Sequence, residues 1–278
     1  MNVTKPEKVG ISKREIIIYS TIVFICILAL LVAFYVQFYK RIDLSRFLGI
    51  NQEEKIALEA DFVKLFNNTL DKQEGDYNNK KSEIDKELVY TTFEKKEIKV
   101  NSFDLEVHIP KINIKSEIAD GYNKEIKEIF IDFVDKIVQS ENRNVIYTVD
   151  YTANIQNGIL SVIIHSNFKE GTKAQKVIVK TYNYDLRNNK ELKLQEVVKF
   201  EQLNENKIQD MINAKIESEQ KKVKDLEGLG YNIYNRDIKN DIYKIEYTEE
   251  FYMTENVIYI IYPYGNNAET SEMDLVIL

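Results

Sequence analysis

The sequence predicts an α+β fold: an N-terminal transmembrane helix followed by an exported domain of antiparallel sheets with helices packed on their faces. Three observations carry this. Ile16 to Phe38 contains no charge over 23 residues, runs of two-residue alternation cluster between Val145 and Leu186, and two longer stretches place apolar residues every three or four positions. Helices interspersed with hairpins, without regular strand–helix–strand alternation, indicate α+β and not a doubly wound sheet.

The first element reads IIIYSTIVFICILALLVAFYVQF. At 1.5 Å per residue it is long enough for a bilayer core of about 30 Å. A cleavable signal has a shorter apolar core and a small-x-small site. The nearest match here ends at Ala33 with bulky Leu31 two positions earlier, so the helix reads as a retained anchor. Lys5, Lys8, Lys13 and Arg14 precede it, and Lys40, Arg41 and Arg46 follow; the positive-inside rule nearly ties. Residues 1–15 are too few to fold alone and residues 39–278 hold the bulk of the chain. The expected topology is therefore single-pass in the cell membrane, with a short cytoplasmic N-terminus and an extracytoplasmic C-terminal domain.

The one cysteine, Cys26, lies within this span. The exported part thus lacks internal disulfides and thiolate chemistry. With abundant Lys, Asn, Ile and Tyr and no Trp, this points to a bacterial surface. The chain has 38 Lys/Arg and 45 Asp/Glu, of which six and two fall in residues 1–41; 32 basic and 43 acidic residues remain beyond, a net charge of −11. Such a field disfavours nucleic acid as a partner and raises the on-rate of a basic protein.

Residues 39–96 read as a juxtamembrane helix and linker. Ile56, Phe62, Leu65, Phe66 and Leu70 recur at helical spacing, and the polar, aperiodic GDYNNKKSEIDKE follows from Gly75 to Glu87. The helix either stands as a stalk or docks its apolar stripe on the domain. Compact structure starts near Val89.

Residues 97–200 form the first α+β half. Phe103, Leu105, Val107 and Ile109 alternate with Asp104, Glu106 and His108, the signature of a half-buried strand with His108 facing water. Pro110 interrupts the ladder and Ile112 and Ile114 switch parity, predicting a bend or bulge on an edge strand. Ser116 is a candidate N-cap for a helix with the stripe Ile118, Tyr122, Ile126, Ile129, Phe130, Phe133 and Ile137. Three strands follow over 145–155, 159–168 and 174–186, the first pair joined by Asn157-Gly158, a strong hairpin signal.

Residues 201–278 form the second half. A helix runs from about Asn204 to Leu226 with the stripe Ile208, Met211, Ile212, Ile216 and Val223, ended by Gly228 and Gly230. Strands are expected at Ile242 to Thr248, Phe251 to Thr254, Val257 to Tyr264 and Met273 to Leu278.

No phosphate-binding glycine loop, dinucleotide fingerprint, His-Glu-x-x-His or Gly-x-Ser-x-Gly is present. His108 and His165 lie in different strands, and zinc would need carboxylates to complete a site with them. No metal, no cofactor and no catalytic residue is expected. Carboxylates are too numerous for a glycosidase pair to stand out. Tyrosine offers rigid amphipathic contact area for a sugar or protein. Strand propensity accounts for most of these residues, and Tyr231 and Tyr234, set in a loop, are the candidate ligand face.

The strand-Pro-strand FDLEVHIPKI, the helix after it, KVIVKTYNYDLRNNKELKLQEVVKF (Lys176 to Phe200) and FYMTENVIYIIYPY (Phe251 to Tyr264) together resemble the paired extracellular domain of unknown function found in RsiV-type anti-sigma factors and in the peptidoglycan deacetylase PdaC. The resemblance implies an extracytoplasmic α+β module. It also brings two roles: a lysozyme sensor that holds a sigma factor through a cytoplasmic segment, and a module beside a deacetylase domain. Residues 1–15 are shorter than a sigma-binding segment, no Thr-Phe-Asp-Asp-Gly-Pro motif occurs, and GNNAETSEMDLVIL after Tyr264 departs from the Tyr-rich continuation of the family.

The expected function is a membrane-anchored, non-catalytic extracytoplasmic domain that binds or senses peptidoglycan, another envelope component, or a basic protein such as lysozyme. The alternatives are an RsiV-type anti-sigma factor sensing lysozyme and an envelope hydrolase with an unrecognised carboxylate site.

Overall fold

The computed structural model describes residues 19, 22, 26–28, 52–66, 70–72, 87–140, 144–229 and 233–278. Of the expected span Ile16 to Phe38, Tyr19, Ile22 and Cys26 to Leu28 are helical with exposed side chains. The rest of the span, the tail 1–15 and the linker over 75–86 lie outside the described residues. No helix among the described residues is long and apolar enough to cross a membrane. The chain divides into two compact units, Met1–Ile50 and Asn51–Leu278.

In the second unit, α1 (Gln52–Val63) leads into β1 (Leu70–Lys72). The helix docks instead of standing as a stalk. Phe62 is buried, its ring 5.1 Å from Tyr259 and 6.1 Å from Phe66. Glu59 meets Lys215 at 3.2 Å.

The larger sheet runs β2 (Val89–Lys99), β3 (Phe103–Ile112), β4 (Val145–Gln156), β5 (Ile159–Glu170), β6 (Lys176–Asp185) and β7 (Lys190–Glu191), with β1 paired to the far end of β4. The α+β class stands, but the sheet is mixed. β3 and β4 are parallel, in register from Phe103↔Val145, and so are β1 and β4. A long helix carries the chain back from the end of β3, and a crossover of that length is what a parallel pair requires.

That helix comprises α2 (Glu117–Ile126), a π-helical turn (Lys127–Ile131) and α3 (Asp132–Gln139). Ser116 caps it, its Oγ accepting from the Ala119 amide at 3.1 Å. Tyr122, Ile126, Phe130 and Val134 are buried at every fourth position. In an α-helix each step of four drifts by about 40°, and the wider π turn absorbs that drift so that all four face the sheet. With Leu105, Tyr147, Val162 and Tyr184 they form the first core.

Pro110 differs from the expected edge position. It sits within β3 between two strands, and the register shift lies opposite it, between Thr91 and Phe93 of β2. The pairing of β3 with β4 covers only Phe103 to Val107. Pro110 thus lies beyond the β4 ladder and beside the irregularity in β2, the kind of place where a strand tolerates a residue without an amide. At the hairpin, Asn157 (φ 51°) and Gly158 (φ 77°) both take the left-handed conformation, as a type I′ turn demands.

The second core gathers α4 (Leu194–Phe200), α5 (Glu205–Glu227) and a three-stranded antiparallel sheet of β8 (Phe251–Met253), β9 (Ile258–Pro263) and β10 (Met273–Ile277), ordered β10-β9-β8. Asn204 caps α5 and the buried stripe is Ile208, Ile212, Ile216 and Val223. The strand expected over Ile242 to Thr248 is two 3-10 turns, Asp241–Tyr243 and Ile245–Tyr247. Asn240 accepts from the Ile242 amide, and Tyr243, Ile245 and Thr248 turn inward, a spacing that imitates a strand in sequence.

Polar side chains of the large sheet bind β8. Ser161 Oγ accepts from Met253 N (3.0 Å), Thr181 Oγ1 accepts from Phe251 N (3.0 Å), and Asn183 Nδ2 donates to Phe251 O (2.9 Å). All three are buried, and these bonds satisfy them. The free edge of β6 is closed in the same manner. Val177 N donates to Thr270 O (3.0 Å), Val179 N to Asn266 Oδ1 (3.0 Å) and Thr181 N to Glu250 Oε2 (2.6 Å). Asn266 Nδ2 returns a bond to Val179 O (2.8 Å), so one side-chain amide replaces a residue of a neighbouring strand.

Candidate functional site

Tyr231, one half of the expected ligand face, lies outside the described residues. Tyr234 is half-buried, and its ring stacks on Tyr264 with centroids 4.1 Å apart and planes 19° from parallel. Its backbone is held at both ends: N donates to Glu272 Oε1 (2.8 Å) and O accepts from Arg236 Nη1 (2.9 Å). Many of the strand tyrosines, Tyr147, Tyr182, Tyr184, Tyr252 and Tyr259 among them, are buried. Tyr247, on the second 3-10 turn, is 54% exposed.

Beneath Tyr234 lies a buried polar network. Arg236 donates to Asp274 through Nε to Oδ2 (2.6 Å) and Nη2 to Oδ1 (3.0 Å), and through Nη1 to Glu272 Oε2 (3.1 Å). Its guanidinium also sits 4.7 Å from the Tyr264 ring centre. Tyr264 OH donates to Asp274 Oδ2 (2.5 Å) and lies 3.0 Å from Tyr243 OH. Burial alone would pull the guanidinium pKa down, but the bond and charge of Asp274 outweigh it and the net shift is upward, so Arg236 stays charged. Burial pushes the Tyr243 phenol up to about 12. The network fixes Tyr234 in place.

Two clefts open here, and Tyr234 lines both. One, of about 630 Å³, runs between the end of α5 (Glu219, Lys222, Leu226) and residues 268–272. The other, of about 500 Å³, has Tyr234, Tyr247 and Tyr262 in its walls, Ile129 and Ile178 on one side, and Lys180 with Glu250 among its polar lining. Lys180 Nζ is 2.8 Å from Glu250 Oε1 and 3.4 Å from Glu125 Oε1. Burial lowers the lysine pKa, but Glu250 and Glu125 outweigh it and leave it raised. Glu250 is itself raised by burial, against the pull of Lys180 and Thr181. Tyr247, expected within a strand, lines this cleft together with Lys180 and Glu250, which the sequence did not single out. Asp274 was detectable: a lone charge inside the apolar MDLVIL signals a buried carboxylate with a partner.

The two histidines are brought into one row across four strands: Glu94 opposite His108, His108 beside Asp150, and Asp150 opposite His165. His108 Nδ1 is 2.8 Å from Asp150 Oδ1 and Nε2 is 3.7 Å from Glu94 Oε1. His108 is thus partly buried, not turned fully to water. Among the described residues no three His, Cys, Asp or Glu side chains converge to hold a metal. His165 lies under the Phe66 ring at 4.9 Å. Burial lowers its pKa and Asp150 opposes this.

An imidazole held below its ordinary value of about 6.5 stabilises the docked state above that pH, and the contribution is lost as pH falls towards the lowered value. Hydrogen exchange over residues 52–72, corrected for intrinsic rates, is expected to quicken between about pH 7.5 and about pH 5. His165→Gln, which cannot charge, should flatten the change. Equal protection at both pH values would refute the coupling.

No protein-family model matches the sequence, and no curated protein sequence matches it. Among solved structures, a DUF3298 family protein from Pseudomonas aeruginosa is similar, with TM-score 0.41 and 12% identity over 69% of this chain and 90% of that one. A member of the same family from Bacteroides fragilis is similar with TM-score 0.35 and 15% identity, over 63% of this chain and 80% of that one. No residue role is carried across from either.

Proposed function

We propose that the chain is a membrane-anchored, non-catalytic domain displayed outside the cytoplasm, which binds a cell-envelope ligand in the cleft walled by Tyr234, Tyr247 and Tyr262. The cleft is the observation that carries this reading: about 500 Å³ lies within the range of small-ligand sites, about 300–1,000 Å³. It combines apolar walls with a few fixed polar groups, and Tyr234 is preorganised by stacking and by two backbone bonds. The uncharged run Ile16 to Phe38 supports the anchor, because its 23 residues are long enough to cross a bilayer core.

The test is co-sedimentation of the full-length chain, in detergent, with purified cell-wall sacculi and, separately, capture by immobilised lysozyme, each at low and high salt. Retention on sacculi that survives high salt is the expected result. Lysozyme capture that weakens with salt, without sacculus binding, would favour the anti-sigma sensor that the family resemblance implies, and would send the search to a sigma factor held by residues 1–15. Failure to bind either would remove the envelope-binding reading.

A further inference from the structure

Resting on that reading, we infer that the ligand of the Tyr247 cleft is an uncharged glycan, a chain of pyranose rings and not a peptide or an anionic polymer. Three features of the cleft separate these classes.

An extended peptide gains most of its affinity from main-chain bonds to a free strand edge, and the strand bordering this cleft has none to give. The amides of Val177, Val179 and Thr181 are already taken by Thr270, Asn266 and Glu250. An anionic polymer needs a cation free to pair with it. Lys180, the lysine in the lining, is already engaged by Glu250 at 2.8 Å and Glu125 at 3.4 Å, and Glu249 adds negative charge at the same cleft. A wholly apolar ligand would strip water from the Lys180 and Glu249 charges without replacing it.

A pyranose meets what remains. Its C–H face lies flat on an aromatic ring, and its equatorial hydroxyls reach planar polar groups at the rim. Tyr247 presents an exposed ring at the cleft, Tyr234 a second one held rigid by Tyr264, and Asn267 and Glu249 supply an amide and a carboxylate in the same lining. Tyrosine pairs rigid contact area with a hydroxyl that stays wet.

The experiment uses the full-length chain in a detergent without a sugar headgroup. Titration calorimetry measures a β-1,4-linked tetramer of N-acetylglucosamine and, separately, an uncharged-capped wall stem peptide. Saturable tetrasaccharide binding is expected, about tenfold weaker in Tyr247→Ala and little changed in Tyr247→Phe, which keeps the ring. Tyr247 is exposed, so its loss leaves the fold intact, and an unchanged thermal melting point checks this. If the sacculi bind but the tetrasaccharide does not, or only the stem peptide does, the glycan assignment fails while the envelope-binding reading stands. If the tetrasaccharide binds equally well to Tyr247→Ala and to Asn267→Ala, the sugar sits elsewhere and the site assignment is overturned. If neither sacculi nor tetrasaccharide bind, both fall together.

Discussion

Asp274→Ala is expected to cost about 3–5 kcal/mol of stability, because it leaves the Arg236 guanidinium buried with its main counter-charge gone. Arg236 is 7% exposed and Asp274 3%, so water cannot replace the two bonds that the carboxylate accepts from Arg236. Tyr264 OH loses its acceptor in the same step. Removing both charges with Arg236→Met and Asp274→Leu should be far milder than removing either one, because the desolvation cost of both ions disappears with their attraction. Urea unfolding of the full-length chain in detergent, followed by tyrosine fluorescence since Trp is absent, separates the cases. A single-variant loss below about 1 kcal/mol, or a double variant as damaged as the single ones, would show the pair to be solvated. Tyr234 depends on this network, so Asp274→Ala should also abolish ligand binding under conditions where Tyr247→Ala only weakens it.

Gly265→Ala is the second large effect. A β-carbon built at this position lies 1.7 Å from Val177 O and 2.6 Å from Thr270 O. Both obstacles are backbone, so no rotamer change relieves them. The chain must withdraw from β6, breaking the Val177–Thr270 bond and displacing the adjacent Asn266 amide. We expect a loss of about 3 kcal/mol or more, with hydrogen exchange raised first at Val177 and Val179. Gly121→Ala is the matched control. Nothing lies within 4 Å of its added carbon, and within α2 alanine should stabilise by about 0.5–1 kcal/mol. A Gly265→Ala protein as stable as wild type would mean that the 264–270 segment does not close the edge of β6.

Local signals in the sequence were reliable where the structure is locally determined. Ser116 caps the helix it precedes, the second long helix starts within one residue of Asn204, and Asn157-Gly158 turns the hairpin at the expected place. Where partners come from afar, the pattern of one segment does not name them. The alternation in Phe103 to Ile109 marks a strand whether its neighbour runs parallel or antiparallel, and only the crossover sets the direction of β4. The Ile242 to Thr248 segment misled because two successive 3-10 turns bury Tyr243 and Ile245 at a strand-like interval of two. The candidate site was legible by half. Tyr234 stood out by its loop setting, whereas Tyr247 looked like one more strand tyrosine, and the pairing of Lys180 with Glu250 spans segments with no local relation.

The closed edge of β6 also bears on how many copies can be packed together. A sheet normally ends in a row of unpaired backbone groups, on which another molecule can grow a strand and seed a fibril. Here Glu250, Asn266 and Thr270 occupy that row. The opposite margin, β2, sets Lys95 and Lys96 among Glu94 and Glu97, charges that oppose the approach of an identical strand. Crowding should therefore leave these molecules separate instead of stitching their sheets together.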